Sequence, residues 1–320
     1  MRKEAKREIA KKGKDNREMK GTVLALLAAA ISGAAITANK IFIVSMDPTV
    51  FTSLRSLIIG IAFLAIIFFQ SRFRLTDVGK SLKSANWKYM LAIAIIGGAA
   101  AFLLFFSGLK LTTSGRAAFL HKTMPIYVAV FAYWFLREKI SIKQTYALII
   151  MLLGTVLIFG AEISPAELWS NPMLGDFLVL GATVLWAVEN TIARKAMVRG
   201  DTNWVVSFSR MFIGALVLFG AAGVMGKLGL MMTLTSGQAV NILISTAILF
   251  GYVFFWYYSI RLINVSKASA MLMLAPVVSL ALGAAFLGEP APMVQLIGSA
   301  LILLGTFFIA NIRSELSTGV

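Results

Sequence analysis

The stretch Gly115–Glu138, GRAAFLHKTMPIYVAVFAYWFLRE, consists of apolar runs interrupted by three unusual residues. His121 is the only histidine of the chain, Lys122 follows it directly, and Pro125 comes three residues later. A charged side chain at the centre of a membrane helix costs roughly 2.5–3.5 kcal/mol on insertion scales, so that it needs a partner or a purpose. The reason for Lys122 depends on whether this stretch crosses a membrane.

The composition is typical of a polytopic membrane protein. Of the 320 residues, 59% are hydrophobic and 14% are charged, whereas soluble domains have about 45–50% apolar and about 25% charged residues. The chain has no cysteine and one histidine, which argues against disulfides and a zinc site. It also lacks a phosphate-binding loop and a nucleophile elbow. We therefore predict neither enzymatic activity nor a metal or other cofactor.

Ten apolar segments are long enough to cross a bilayer as helices, which requires roughly 20 residues each. The sequence predicts an all-α integral membrane protein with these ten spans: Gly21–Val44, Val50–Gln70, Lys88–Leu109, Ala117–Leu136, Gln144–Ala161, Leu174–Met197, Trp204–Met225, Val240–Ile260, Ala268–Leu287 and Pro292–Ile312.

The positive charges predict the orientation. The net charge is +16, and most Lys and Arg residues lie in the tail 1–20 or in alternate loops, such as 71–88 and 137–143. Cytoplasmic loops carry the excess of Lys and Arg, so we expect both termini in the cytoplasm and the protein in the cytoplasmic (inner) membrane. The basic tail is expected to attract anionic lipid headgroups rather than nucleic acid.

The two halves of the chain resemble each other. Pro125 precedes Glu138 by the same number of residues as Pro276 precedes Glu289. Further pairs match in order: Lys40 with Arg194, Arg55 with Arg210, Lys110 with Arg261, Arg116 with Lys267, and LLGT at 152–155 with LLGT at 303–306. Five spans per repeat give the two repeats opposite orientations, an arrangement typical of secondary transporters. We predict repeats at 21–162 and 174–312, followed by a cytoplasmic tail at 313–320.

These repeated motifs resemble those of the EamA-type transporters of the drug/metabolite transporter superfamily. The resemblance is carried by ANKIFI at 38–43, SLRSLIIG at 53–60, residues 112–141, NVSKASAMLMLAPVVSLALGAAFLGEPAP at 264–292, and IGSALILLGT at 297–306. It extends from about Gly21 to Arg313. It implies a central cavity lined mainly by spans 3, 4, 8 and 9, with contributions from spans 1 and 6, and transport of small metabolites.

Lys122 is the first candidate for substrate binding. It lies about six residues, or roughly 9 Å, beyond Arg116 along the fourth span, and its repeat counterpart is Met273. This asymmetry favours contact with an anionic substrate group over a scaffold role, with snorkelling to the interface as the alternative. His121 is a weaker candidate: it either carries a proton or is satisfied by a neighbouring helix.

Glu189, in the sixth span, has two alternative roles. It can form an ion pair with Arg210 at similar depth, or bind a substrate ammonium group or a coupling proton. Asn190 and Trp186 flank it as further binding candidates. Arg55 and Arg210 occupy equivalent repeat positions, which favours a structural role for both.

The remaining candidates are aromatic or lie at helix ends. Phe102 and Phe106 share one helix face, as do Tyr252 and Trp256, so that either face could line the cavity or contact lipid. The residues expected to be structural at kinks and interfaces are Pro125, Pro276, Glu138 and Glu289.

The sequence thus predicts a secondary active transporter that exports small organic metabolites, such as amino acids, by alternating access. An exchanger of organic anions or phosphate esters is the alternative, and it requires Lys122 to act with Arg55 or Arg210. The expected partners are a small-molecule substrate, the lipid bilayer and, as an open alternative, a coupling proton. A monomer and a homodimer both remain open.

Overall fold

The structure is a computed structural model that describes residues 2–160, 171–287 and 290–312. Within these ranges every regular element is helical. The main helices are α1 Arg2–Ile43, α2 Pro48–Gln70, α3 Leu75–Lys83, α4 Trp87–Leu111, α5 Ser114–Lys122, α6 Met124–Leu136, α7 Ile142–Gly160, α8 Leu174–Val198, α9 Asn203–Val224, α10 Ser236–Leu262, α11 Val265–Phe286 and α12 Met293–Asn311.

Nine helices in the described ranges are long and apolar enough to cross a membrane. The predicted fourth span is divided into α5 and α6, which meet at Thr123, and neither part reaches the length of a span. Pro125 lies in the first turn of α6, where its missing N–H leaves no helical bond unmade. The sequence analysis treated this segment as one helix; the proline accounts for the interruption.

The second proline motif lies at a similar interruption. In α11, residues Leu272–Leu274 form a 3₁₀ turn two residues before Pro276. The break next to Pro125 and the turn next to Pro276 therefore occupy corresponding places in the two halves. The repeat seen in the sequence is thus also present in local backbone geometry. Glu289, a predicted structural residue, lies outside the described residues.

Equivalent helices of each half pack against the other half. The first helix of the first half, α1, packs along α10 of the second half, and α8 packs in the same way against α4. The last helices of the halves, α7 and α12, also lie against each other, with Gly154 and Gly298 at their closest approach. Because helices of each half pack against the other half, the two repeats share one core. Residues of both halves therefore surround the centre.

Two π-helical segments contact each other at this centre. Ala94–Ala100 of α4 lies against Ser209–Ile213 of α9. A π-segment inserts one residue into a helical turn and re-aims its side chains, and such segments are frequent at functional sites. Gly98 is in contact with the backbone of α9: a Cβ atom there would lie 2.0 Å from the carbonyl oxygen of Arg210. A side chain at Gly98 would therefore force the two segments apart.

We predict that Gly98→Val lowers the free energy of unfolding by about 1–3 kcal/mol, the usual cost of overpacking a close contact. Gly220→Val is the matched control, because Gly220 lies on an exposed face of α9 with open space around it. The measurement is thermal and denaturant unfolding of the detergent-solubilised protein. Equal losses for both variants would contradict the close contact between the π-segments.

Candidate functional site

A cavity lies between the two halves, with a volume of about 80 Å³. Since a water molecule needs about 10–15 Å³ of such space, several waters fit. Helices α1, α2, α4, α5, α6, α8, α9 and α10 contribute to its wall. The lining residues are Ser32, Ala35, Asn39, Arg55, Phe102, Phe105, Phe106, His121, Met124, Trp186, Asn190, Arg210, Ile248, Leu249 and Tyr252.

Most of the predicted binding residues lie around this cavity. Those in its wall are His121, Phe102, Phe106, Trp186, Asn190 and Tyr252. Trp256 is buried behind the wall and donates its indole N–H to Asn190 Oδ1 at 2.8 Å. Glu189 and Lys122 are buried next to the wall and are not part of it.

The wall also contains residues that the sequence analysis did not assign to binding. They include Ser32, Ala35 and Asn39 of α1, together with Arg55 and Arg210, which were interpreted as structural. Ser32 and Asn39 are polar residues in an apolar span, and this contrast in the sequence could have indicated that they line a cavity. Of the spans that the resemblance implied, the first, third, fourth, sixth and eighth reach the wall. The ninth span, also implied, contributes none of the lining residues, whereas the second and seventh spans do contribute.

Lys122 is 3% exposed, and its ammonium group donates to the hydroxyl of Ser32 at 3.2 Å. Within the described ranges it has no carboxylate partner at ion-pair distance. Met273, its repeat counterpart, lines the same small gap between α5 and α11. Lys122 therefore contacts the cavity through Ser32, with its charge one side chain away from the wall.

Glu189 lies in a polar cluster with Tyr257 and Arg210. The Tyr257 hydroxyl donates to Glu189 Oε1 and accepts a hydrogen bond from Arg210 Nη1 at 3.0 Å. Glu189 Oε2 lies 3.8 Å from the same Arg210 nitrogen, so the two charges form an ion pair. A buried guanidinium is tolerated inside a bilayer when a carboxylate balances its charge in this way.

The π-segment of α4 completes this cluster from the other side. Gly97 packs directly on Glu189, since a Cβ at Gly97 would lie 2.2 Å from Glu189 Cγ. The carbonyl of Gly97 accepts a hydrogen bond from the Trp186 indole at 3.1 Å. The π-segment therefore holds the Trp186 ring in the cavity wall and packs against Glu189.

Arg55 is in a different environment. Its Nη1 donates to Ser245 Oγ at 3.0 Å, and Ser245 donates in turn to Asn39 Oδ1 at 2.6 Å. Its guanidinium carbon lies 4.7 Å from the centroid of the Phe106 ring, close enough for a cation–π interaction. Within the described part of the chain, no carboxylate lies at ion-pair distance from Arg55.

Aromatic rings form much of the remaining wall. The His121 ring contacts Trp186 at 5.3 Å and Phe105 at 5.5 Å between ring centroids, both edge to face. His121 Nδ1 is buried and has no hydrogen-bond partner among the described residues. Tyr252 and Trp256 stack with nearly parallel rings, 6.1 Å apart. These rings give the cavity apolar surface beside its polar and charged lining residues, a combination that is typical of small-molecule sites.

The other predicted structural residue in the described ranges, Glu138, joins three helices. It follows α6, lies 3.5 Å from the Arg194 guanidinium of α8, and accepts a hydrogen bond from Ser266 of α11 at 3.3 Å. Arg194 also donates to the Ile260 carbonyl at the end of α10 at 2.8 Å. These contacts hold the helix ends together on one side of the cavity.

We expect different costs for substitution of the two arginines in the cavity wall. Arg210→Met leaves Glu189 buried without its cation, and breaking a buried ion pair typically costs about 3–5 kcal/mol in the free energy of unfolding. Arg55→Met removes a cation that has no carboxylate partner, so we expect a clearly smaller loss. Unfolding of both variants in detergent measures the difference. Equal losses would contradict the distinction between the two environments.

Comparisons with known proteins agree with this architecture. The EamA-like transporter family matches the chain twice, over residues 19–160 and 173–311. An uncharacterized transporter of Archaeoglobus fulgidus is 29% identical over 92% of this chain and 100% of its own length. The uncharacterized transporter YoaV of Bacillus subtilis is 29% identical over 87% of this chain and 92% of its own.

A solved structure, described only as a crystal structure of a protein, has the same fold. It superposes with a TM-score of 0.72 and 17% sequence identity, covering 91% of this chain and 97% of its own. The two family matches together cover most of the chain and correspond to its two halves. The chain therefore belongs to the EamA-like transporter family and is a multi-pass membrane protein.

Proposed function

We propose that this transporter is a secondary active exporter of small organic metabolites, amino acids among them, that works by alternating access. The observation that carries the proposal is the cavity whose wall is shared by both repeats. A site between two similar halves can open to one side and then to the other when the halves exchange conformations.

The small volume of the cavity supports a change in conformation that widens the site for substrate. Its 80 Å³ is well below the roughly 300–1,000 Å³ of typical small-molecule pockets. We infer that the structure represents a narrow state and that substrate binding requires a wider one. The proposed topology has ten spans, of which α5 and α6 together form the fourth. Because ten is an even number, both termini lie on the same side, which we propose is the cytoplasm. The membrane is proposed to be the inner membrane.

The chemistry of the wall supports a small polar solute with an apolar part. Asn39, Asn190 and Ser32 offer hydrogen-bonding groups, and the surrounding aromatic rings offer apolar surface. Glu189, already paired with Arg210, is available for a coupling proton only when that pair opens. Exchange of phosphate esters is the second candidate, because Arg55 and Lys122 both lack a carboxylate partner within the described ranges; inhibition by inorganic phosphate would distinguish it.

The test is counterflow of labelled amino acids in proteoliposomes. We expect flux for the wild type and a loss of about tenfold or more for Lys122→Met, because a charge-assisted hydrogen bond to Ser32 is worth about 1.5–3 kcal/mol. Lys143→Met, at an exposed lysine of α7, is the control and should keep its flux.

Two results would contradict parts of this proposal. Equal flux in Lys122→Met and the wild type would show that Lys122 does not support the site. Absence of amino-acid flux in a folded wild type, together with phosphate-inhibited exchange of sugar phosphates, would replace amino acids by phosphate esters as substrates.

A further inference from the structure

We propose that Arg55 binds a carboxylate group of the transported solute, in the place that corresponds to the Glu189 carboxylate next to Arg210. The inference rests on the proposed transport function and specifies its substrate class as small carboxylates, including amino acids. It follows from the unsatisfied hydrogen-bonding groups of Arg55 and from a comparison of the two repeats.

Arg55 has donors that the protein leaves unused. The side chain is 1% exposed and lines the cavity. Nη1 donates to Ser245, whereas Nε and Nη2 have no hydrogen-bond partner within the described ranges. A buried donor without a partner costs free energy, and a buried charge costs more. These two nitrogens lie on one edge of the guanidinium, the geometry that binds both oxygens of a carboxylate.

Aromatic rings surround this guanidinium on several sides. Its central carbon lies 4.7 Å from the Phe106 centroid, 4.8 Å from Phe51 and 5.2 Å from Phe102. Cation–π contacts stabilise the charge by about 0.5–2 kcal/mol each, but they leave N–H groups in the guanidinium plane free. The rings also lower the local dielectric constant, which strengthens any ion pair that forms there. The surroundings therefore favour an anion without supplying one.

The second repeat shows an arginine whose charge is balanced by a carboxylate, although its Nε, like that of Arg55, has no hydrogen-bond partner among the described residues. Arg210, the counterpart of Arg55, is paired with Glu189 and hydrogen-bonded to Tyr257. Glu189 lies five residues before Arg194, and Tyr257 lies four residues before Arg261. These two arginines are themselves matched by Lys40 and Lys110, so the equivalents of the glutamate and the tyrosine can be read from the sequence.

Both equivalents lack the polar group. Five residues before Lys40 stands Ala35, and four residues before Lys110 stands Phe106. The first repeat thus keeps the arginine and has neither the carboxylate nor the hydroxyl that satisfy Arg210. Ala35 lies in the cavity wall together with Arg55. The cavity therefore occupies the region where the second repeat has its carboxylate, and a substrate carboxylate restores the missing pair.

The test is to supply the missing carboxylate from the protein. In Ala35→Glu, the new side chain should pair with Arg55, raise the unfolding temperature and exclude a substrate carboxylate. Ala35→Gln is the matched control, because it has nearly the same size and no charge. We expect Ala35→Glu to weaken carboxylate binding by about tenfold to a hundredfold more than Ala35→Gln, the loss expected for a charge-assisted hydrogen bond.

The probes are matched sets of three compounds, built on the side chains of alanine, leucine and phenylalanine. Each set contains the amino acid, the deaminated carboxylic acid and the decarboxylated amine. Binding is measured by thermal stabilisation and by the change in intrinsic tryptophan fluorescence, to which Trp186 in the wall contributes. We expect both carboxylates of a set to bind to the wild type and the amine to bind at least about tenfold more weakly.

The possible results separate this inference from the proposed function. Binding and counterflow of the amines with no preference for carboxylates would overturn the role of Arg55 and leave a transporter. Equal effects of Ala35→Glu and Ala35→Gln would also overturn it. Stabilisation by inorganic phosphate or chloride as strong as that by the carboxylates would show an inorganic anion site instead. Absence of any carboxylate binding in folded wild type would overturn the inference, whereas the transport function is judged by flux alone.

Discussion

The structure depends on one constraint: a cation buried between membrane helices has no bulk water to solvate it. Among the described residues, three buried cations lie in or next to the wall of the central cavity, and they have different partners. Arg210 is paired with Glu189, Lys122 donates to Ser32, and Arg55 is held by Ser245 and aromatic rings. Among these three, Arg55 lines the cavity, has no carboxylate at ion-pair distance within the described ranges and has two donors, Nε and Nη2, without a partner, which points to Arg55 as the group that binds an external anion.

The backbone makes this arrangement possible. The π-segment of α4 approaches α9 closely through Gly98, which contacts Gly214 directly after the π-segment of α9, and neither glycine has a side chain to separate the helices. Their contact places Arg210 next to Glu189 and lets the Gly97 carbonyl receive the Trp186 indole. The polar cluster and the cavity wall are thus built by the same close approach of two helices, so that movement between the repeats would affect both.

Much of the fold can be predicted from the sequence because it depends on long apolar runs and on a repeat, which are strong signals. The repeat and the family follow from motifs such as LLGT at 152–155 and 303–306. The interruption at Thr123 is harder to predict. Pro125 indicates that the helix is disturbed, but the sequence does not distinguish a bend from a division into two helices. In this protein it divides.

The site is less predictable, because its geometry depends on the rotation of each helix. Phe102, Trp186 and Asn190 could be proposed from residue type, whereas the position of Lys122 behind Ser32 required coordinates. Equivalence of Arg55 and Arg210 suggested a common role. The repeat shows which residues correspond, but only the structure shows that both arginines line the cavity and that Arg210 has a carboxylate next to it.

The most direct test of the account is the accessibility of Ala35 from the two sides of the membrane. The chain has no cysteine, so Ala35→Cys introduces a single reactive thiol without background. Membrane-impermeant thiol reagents, applied from either side of oriented vesicles, should label this position from both sides, and a transported carboxylate should slow both reactions. Labelling from one side only, under all conditions, would contradict a site that alternates between the two faces.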